Sequence, residues 1–269
     1  MGKLLKGRND EYGGVIVHMD DDETMDTPTF VSSLSSSIAL WKQQGKKGVW
    51  LRLPIQQASL VEAAVQQGFW YHHAEPHYLM LVYWIPNSAH TLPENATHRL
   101  GIGAFLINQN REVLVVQEKG GQHGGTGLWK LPTGAVDEGE DIYAAAVREV
   151  KEETGIDSEF MEILAFRQIH KSFFEKSDLF FLCMLRPLSF DIQKQDQEIE
   201  AAKWMPFEEY AAQPFVQKYE FLRYLHDICK AKIDGNYTGF SPIPTTTYSV
   251  QKSYLYLNSA QAPNRQSKL

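Results

Sequence analysis

Three carboxylates at helical spacing are the most chemically informative residues of this chain. Glu149, Glu152 and Glu153 occupy positions i, i+3 and i+4 of a segment without proline or glycine, so a helix would place them on one face. Crowded carboxylates repel one another unless a cation compensates them, and their oxygens suit Mg²⁺, with Mn²⁺ as a second choice. A metal ion there would activate water and neutralise phosphoryl oxygens. The spacing therefore predicts a metal platform for cleaving a diphosphate.

The element that must hold these carboxylates is a helix from Asp141 to Glu153. Its residues are mostly good helix formers, and Gly155 follows where helices commonly end. Val147 and Val150 fall on a different stripe, which suits packing against a core. One acidic face and one buried face are expected.

The segment Gly134–Ile156 fits the pattern G-x5-E-x7-R-E-U-x-E-E-x-G-U, in which U is aliphatic. In this it resembles the signature box of Nudix hydrolases. The resemblance implies that Glu149 and Glu153 are the main Mg²⁺ ligands and that Glu152 lies close by. An isolated Glu-x-x-Glu-Glu would be interpreted as a solvated helix face. With Gly134, Arg148, Gly155 and Ile156 in register, the metal platform is the preferred interpretation.

The same resemblance assigns supporting roles around the platform. Arg148 and Glu140 would orient the carboxylates through an ion pair, and backbone carbonyls of Thr133–Gly134 would complete the site. Glu198 and Glu200, in an acidic segment further along, are candidates for an additional metal ligand or a general base, with solvated loop charges as the alternative.

The chain is long enough for two domains. We predict an α/β domain over residues 1–95, a second domain over 96–232 and a loop-like tail over 233–269. The second domain should have the Nudix α/β/α sandwich with a mixed sheet, ending in a helix from Pro214 to Lys232. The first resembles the acetyltransferase-like domain that precedes it in plant ADP-ribose and NADH pyrophosphatases, and is expected to serve packing or homodimer formation.

Within the first domain, the pattern predicts a helix at Thr29–Gln44 and a second helix at Ala58–Gln67 that stops at Gly68. His72 and His73 are adjacent on a predicted strand and should point to opposite faces, so they should not chelate together. Packing histidines are the preferred interpretation.

Substrate selectivity must come from residues outside the box. In Leu131-Pro-Thr-Gly134 and Leu164-Ala-Phe-Arg-Gln168 the chain resembles the plant two-domain enzymes, which implies ADP-ribose or NADH as substrate. An alternative is a diphosphatase that converts an isoprenoid diphosphate, such as geranyl or bornyl diphosphate, to its monophosphate, and a third is a diphosphate sensor without catalysis. The candidate substrate contacts are Trp129, Lys130, Arg167, His170, Phe173 and Phe174; core packing is the alternative for the aromatic ones.

Charge and composition limit the kinds of partner and location that the sequence predicts. The net charge is −7 with scattered basic residues, which predicts no nucleic-acid binding, and no apolar run is long enough to predict a membrane span. Cys183 and Cys229 cannot build a disulfide framework, which favours an intracellular protein. Ser267-Lys268-Leu269 reads as the address recognised by the peroxisomal import receptor, with a cytosolic location as the alternative.

Overall fold

The computed structural model describes residues 3–19, 25–120, 124–246 and 252–258. The chain divides into two compact units, Met1–Ala96 and Thr97–Leu269, and each is described by itself. Among the described residues, no helix is both long and apolar enough to cross a bilayer. Ser267–Leu269 lies outside the described residues, so the peroxisomal address stays a prediction.

The first unit is a five-stranded mixed sheet with two α-helices. The sheet order is β1-β2-β3-β5-β4, in which β2 and β3 are parallel and the other pairs are antiparallel. Its elements are β1 (Gly7–Asn9), β2 (Val15–His18), α1 (Thr27–Gln43), β3 (Gly48–Pro54), α2 (Val61–Gln66), β4 (Trp70–Glu75) and β5 (Tyr78–Trp84).

Helix α1 covers this sheet because its apolar residues recur at helical spacing. Phe30, Leu34 and Trp41 are buried, and they pack with the alternating strand residues of β2 and β3. The Asp26 carboxylate accepts a hydrogen bond of 2.7 Å from the Thr29 backbone and caps the first turn. This cap explains why the helix begins two residues earlier than expected.

Two long helices expected from sequence are each interrupted. The segment predicted at Ala58–Gln67 is a 3₁₀ helix, Ile55–Leu60, followed by the short α2. The segment predicted at Pro214–Lys232 is broken at Tyr219, whose extended backbone (φ −104°, ψ 122°) separates two helices. Apolar periodicity continues across both breaks, so it does not reveal them.

The expectation that His72 and His73 point to opposite faces is wrong. A β-bulge between Tyr71 and His73 interrupts the pairing of β4 with β5, which removes the strict alternation of side chains. The two Nδ1 atoms lie 2.6 Å apart, and His72 Nε2 lies 2.9 Å from the Pro93 carbonyl oxygen. The pair therefore joins the strand to the segment that follows β5.

The second unit contains a six-stranded mixed sheet of order β13-β12-β9-β10-β6-β8 and a two-stranded ladder, β11-β7. Strands β6 and β10 are parallel. Its strands are β6 (His98–Leu106), β7 (Glu112–Glu118), β8 (Thr133–Ala135), β9 (Ser158–Phe173), β10 (Lys176–Pro187), β11 (Ile199–Pro206), β12 (Phe240–Thr246) and β13 (Lys252–Asn258). Its helices are α3 (Ile142–Thr154), α4 (Phe207–Ala212), α5 (Pro214–Lys218) and α6 (Glu220–Ile233).

Successive residues of the strands face two separate cores. Ile102 and Ala104 of β6 pack with Val150 of α3, whereas their neighbour Phe105 packs with Phe207 and with the α6 side of the unit. Helices therefore cover both faces of the strands. The predicted α/β/α sandwich with a mixed sheet is confirmed.

The predicted loop-like tail over residues 233–269 is wrong at Phe240–Thr246 and Lys252–Asn258, which are strands. Strands β12 and β13 form an antiparallel hairpin that joins the sheet where Phe240 pairs with Ile163 of β9. Tyr254 of this hairpin packs on Tyr143 of α3, with ring centroids 4.8 Å apart and hydroxyl oxygens 3.2 Å apart. Pro242 and Pro244 obscured β12, but a strand with little pairing along one edge tolerates their missing N–H groups.

Candidate functional site

Helix α3 presents the acidic face that its spacing predicts. It ends at Gly155, whose backbone is left-handed (φ 74°) and whose N–H donates to the Lys151 carbonyl at 2.9 Å. Ala146 and Val150 are buried beside Glu149 and Glu153 on the helix surface, so the face that carries these two carboxylates lies against the rest of the unit. Glu149 and Glu153 consequently turn toward the loop and strand that precede the helix.

Gly134 of β8 makes room for one of these carboxylates. A Cβ atom at this position would overlap the Glu149 carboxyl group. Burial raises the pKa of Glu149, and hydrogen bonding to Arg148 opposes that shift. The contact explains why this position requires glycine, and it brings the Gly134 backbone close to a carboxylate.

Glu153 is the most buried acidic side chain of the site. It is 4% exposed, and its Oε2 atom is buried without a hydrogen-bond partner in the described part of the chain. Burial raises its pKa to about 8; Lys130 and a backbone hydrogen bond from Thr133 oppose the shift, while Glu149 and Glu118 add to it. A buried carboxylate oxygen without a partner is costly unless a cation or donor reaches it.

Arg148 and Glu140 form a bidentate pair. Arg148 Nε and Nη2 each donate to a Glu140 oxygen at 2.8 Å, while Nη1 donates to Glu149 at 2.8 Å and to Glu152 at 3.1 Å. Hydrogen bonding to Arg148 lowers the pKa of Glu140, and the Glu140 pair raises that of Arg148. The guanidinium thus fixes Glu149 and holds Glu152 at the solvent side.

Glu118 is a site residue that the sequence did not single out. At the end of β7, it forms an ion pair with Lys130, whose ammonium also donates to Thr133 Oγ1 at 2.9 Å. Glu118 and Glu198 line a cavity of about 330 Å³ together with Glu153. Glu200, by contrast, lies exposed at a bulge in β11 and does not line this cavity.

The residues present fit a hard divalent ion. Among the described residues no three acidic, imidazole or thiol groups converge to enclose a metal completely. Mg²⁺ commonly uses one or two carboxylates and takes its remaining oxygens from water and substrate phosphate. The unpartnered Glu153 oxygen, the Glu149 carboxylate and the adjacent Gly134 backbone supply such an incomplete, oxygen-rich platform.

A cleft of about 350 Å³ adjoins the platform at Thr133, and we name it the apolar cleft. Most of its walls are aliphatic or aromatic, and two cations, Lys130 and Arg167, also line it. The Arg167 guanidinium lies 4.1 Å from the ring centroid of Phe221. Its lining residues are Lys130, Leu131, Thr133, Arg167, Ile169, Phe180, Leu182, Phe207, Tyr210, Phe221, Leu222, Leu225, His226 and Cys229.

Other residues predicted to bind substrate lie elsewhere. Trp129 packs against the core on the α6 side, its backbone exchanges hydrogen bonds with the Gln213 side-chain amide, and its ring lies under the Lys203 ammonium. His170 is exposed and contacts Ser177, and Phe174 is 82% exposed in the turn between β9 and β10. Phe173 ends β9, and its side chain lies outside the described residues.

Sequence reasoning missed the contribution of α6 to the cleft. Phe221, Leu222 and Leu225 share one side of this helix at i, i+1 and i+4, a pattern that ordinarily indicates core packing. The apolar pattern of the helix does not show that these side chains are partly exposed. Phe180 likewise reads as an ordinary strand residue until its neighbours are known.

Substituting Gly134 with alanine tests the platform geometry. We expect the added methyl group to displace the Glu149 carboxylate and to lower kcat/KM for any diphosphate substrate by at least about tenfold, since one positioning contact is worth about 1.4 kcal/mol or more. Steady-state kinetics would measure this. Gly235→Ala is the control: Gly235 has φ 75° and open space around it, so alanine there costs stability but should leave kcat/KM unchanged.

The sandwich and its carboxylate platform define a hydrolase of phosphoanhydrides. Comparison with family models agrees: a Nudix hydrolase domain matches residues 5–85, and a NUDIX domain matches residues 97–225. The chain belongs to the Nudix hydrolase family.

Several proteins are similar over most of the chain. Nudix hydrolase 2 of Arabidopsis thaliana is 59% identical over 262 residues, which cover 97% of this chain and 93% of the relative. Nudix hydrolase 10 of the same plant is 58% identical, covering 96% and 91%. The mouse protein named nucleoside diphosphate-linked moiety X motif 6 is 39% identical, covering 78% and 68%. Membership in this family supports a hydrolase of phosphoanhydrides over the non-catalytic sensor.

Proposed function

We propose that this chain is a Mg²⁺-dependent pyrophosphohydrolase that cleaves the diphosphate linkage of a nucleoside diphosphate derivative. ADP-ribose and NADH are the leading substrates, giving AMP and a second phosphorylated product. The observation that carries the proposal is the position of Thr133, which lines the apolar cleft and hydrogen-bonds Glu153 through its backbone. An organic group in the cleft would hold its diphosphate beside the carboxylates.

The residues divide the chemical work. Mg²⁺ or Mn²⁺ bound at Glu149 and Glu153 would supply a water of lowered pKa and neutralise charge on the phosphoryl oxygens. Arg148 keeps the Glu149 carboxylate in place. Lys130 adds positive charge at the cleft where phosphate would lie. Glu198 shares a cavity with Glu153 and would accept the proton of the attacking water.

A nucleoside suits the cleft because aromatic faces and a cation occur together there. Phe180, Tyr210 and Phe221 offer rings on which a base can stack, and Arg167 lies over Phe221. The resemblance to plant ADP-ribose and NADH pyrophosphatases supports the same substrate class.

An isoprenoid diphosphate is the second candidate, and the aliphatic part of the cleft favours it. Leu131, Leu182, Leu222 and Leu225 give a hydrocarbon chain or ring a matching surface. In that case geranyl or bornyl diphosphate would be hydrolysed to its monophosphate with release of phosphate.

A side-by-side hydrolysis assay decides between the candidates. Purified protein with Mg²⁺ would receive ADP-ribose, NADH, CoA and geranyl or bornyl diphosphate separately, with products resolved by mass and a chelator as the matched control. We expect AMP from ADP-ribose or NADH at the highest kcat/KM. A higher kcat/KM for the terpenyl substrate would replace the nucleotide proposal, and turnover insensitive to chelation would contradict the metal assignment.

A further inference from the structure

A second cleft also borders the platform. It has a volume of about 370 Å³ and includes Arg99 and Asp178, which are paired neighbours at the starts of the parallel strands β6 and β10. It also includes Thr133 and Gly134. The carboxylate platform therefore borders two clefts, and we name the second one the Asp178 cleft.

Phe180 separates the two clefts. It lines both of them, together with Thr133 and Ile169. Its ring lies directly against Gly103 of β6, where a Cβ atom would overlap it. Because Gly103 lacks a side chain, the ring can lie close to the strand and leave space on either side.

Asp178 gives the second cleft a carboxylate oxygen that needs a hydrogen-bond donor. Its Oδ1 atom is buried, and none of the described residues donates a hydrogen bond to it. A carboxylate accepts through both oxygens and is costly to bury without donors. The neighbouring hydroxyl groups of a sugar provide two O–H donors at a spacing that a carboxylate can accept. A hydrocarbon group has no such donor and would leave the Asp178 oxygen without a hydrogen bond.

We infer that the two organic groups of the substrate lie on opposite sides of Phe180, with the diphosphate crossing Thr133. The ring-bearing group occupies the apolar cleft, and a hydroxyl-rich group, such as the terminal ribose of ADP-ribose, binds Asp178. This inference rests on the proposed nucleotide function and narrows it to diphosphates that carry an organic group at each end. An isoprenoid diphosphate has one organic group and would not use Asp178.

The test measures the KM for ADP-ribose and the affinities for its two halves, ribose 5-phosphate and AMP. The variants are Asp178→Ala and the isosteric Asp178→Asn. We expect Asp178→Ala to raise the KM for ADP-ribose at least tenfold and to weaken ribose 5-phosphate binding by a similar factor, with Asp178→Asn intermediate. Binding of AMP, which occupies the other cleft, should change less than twofold. Asp191→Asn, at an exposed aspartate outside both clefts, is the matched control and should resemble wild type.

Failure of this inference is distinguishable from failure of the proposed function. If the wild-type protein hydrolyses ADP-ribose but both Asp178 variants keep its KM and the ribose 5-phosphate affinity, the assignment of the Asp178 cleft is overturned and the function stands. If the wild-type protein hydrolyses neither ADP-ribose nor NADH, both are overturned. Asp178→Asn keeps the shape of the side chain, so the same comparison can be made with this variant if Asp178→Ala does not fold.

Discussion

Replacing Glu153 with glutamine is expected to abolish hydrolysis while leaving the fold intact. The amide has the shape of the carboxylate but cannot carry its charge, so it cannot hold a divalent ion as strongly. Since metal stabilisation of phosphoryl charge is worth several kcal/mol, we expect kcat/KM to fall by about a thousandfold or more. The control is Glu138→Gln, an exposed glutamate in the loop before α3. Activity near the wild-type level in Glu153→Gln would eliminate the site assignment.

The same variant should change the pH dependence of stability in metal-free buffer. Burial first, and then the charges of Glu149 and Glu118, raise the pKa of Glu153 from the ordinary 4.5 to about 8. The folded state therefore holds the proton more tightly than the unfolded state, and the stability linked to that proton is present below pH 4.5 and is lost as the pH rises through 8. Glutamine does not ionise, so Glu153→Gln should melt at a higher temperature than wild type at pH 8.5 with a chelator. The difference should shrink toward pH 5, and an advantage that grows in acid would contradict the assignment.

Replacing Lys232 with methionine is expected to lower the free energy of unfolding more than any other substitution proposed for this chain. Lys232 forms an ion pair with Glu162, whose side chain is 6% exposed and also accepts a hydrogen bond from the Gly239 backbone. Removing one partner leaves a buried charge uncompensated, which typically costs about 3–5 kcal/mol. Urea denaturation followed by circular dichroism would measure the free energy of unfolding. Lys230→Met, which breaks an exposed pair with Asp234, should cost about 1 kcal/mol or less.

A double variant separates the charge effect from lost packing. Adding Glu162→Gln to Lys232→Met removes the buried charge but keeps an oxygen that can accept from Gly239. We expect the double variant to be more stable than Lys232→Met alone, with a coupling energy that only interacting residues show. Strict additivity would mean that Lys232 stabilises α6 through its aliphatic stem instead.

Local features of the site were predictable because they depend on residues close in sequence. The spacing of Glu149 and Glu153 fixes their common face, and Gly155 marks the helix end because it can adopt a left-handed backbone. The Arg148–Glu140 pair spans eight residues of one loop-helix segment, which the signature pattern encodes directly.

Features that depend on distant strands were not predictable. Glu118 and Glu198 reach one cavity only because β7 pairs with β11, a register that no local pattern specifies. Phe180 divides two clefts because β10 lies parallel to β6 and next to Gly103. The β12–β13 hairpin escaped notice because its prolines resemble loop residues and its pairing partner, β9, is far away in sequence.

That hairpin also determines where the chain can be shortened without harm. A version that stopped at residue 232, where the sequence alone suggests the domain ends, would lose two strands and uncover the side of α3 on which Tyr143 meets Tyr254. It would also remove the pairing of Phe240 with Ile163 and leave β9 as the outer strand of the sheet, and exposed strand edges are a common route to aggregation. Residues far from the diphosphate site thus protect the helix that carries its carboxylates.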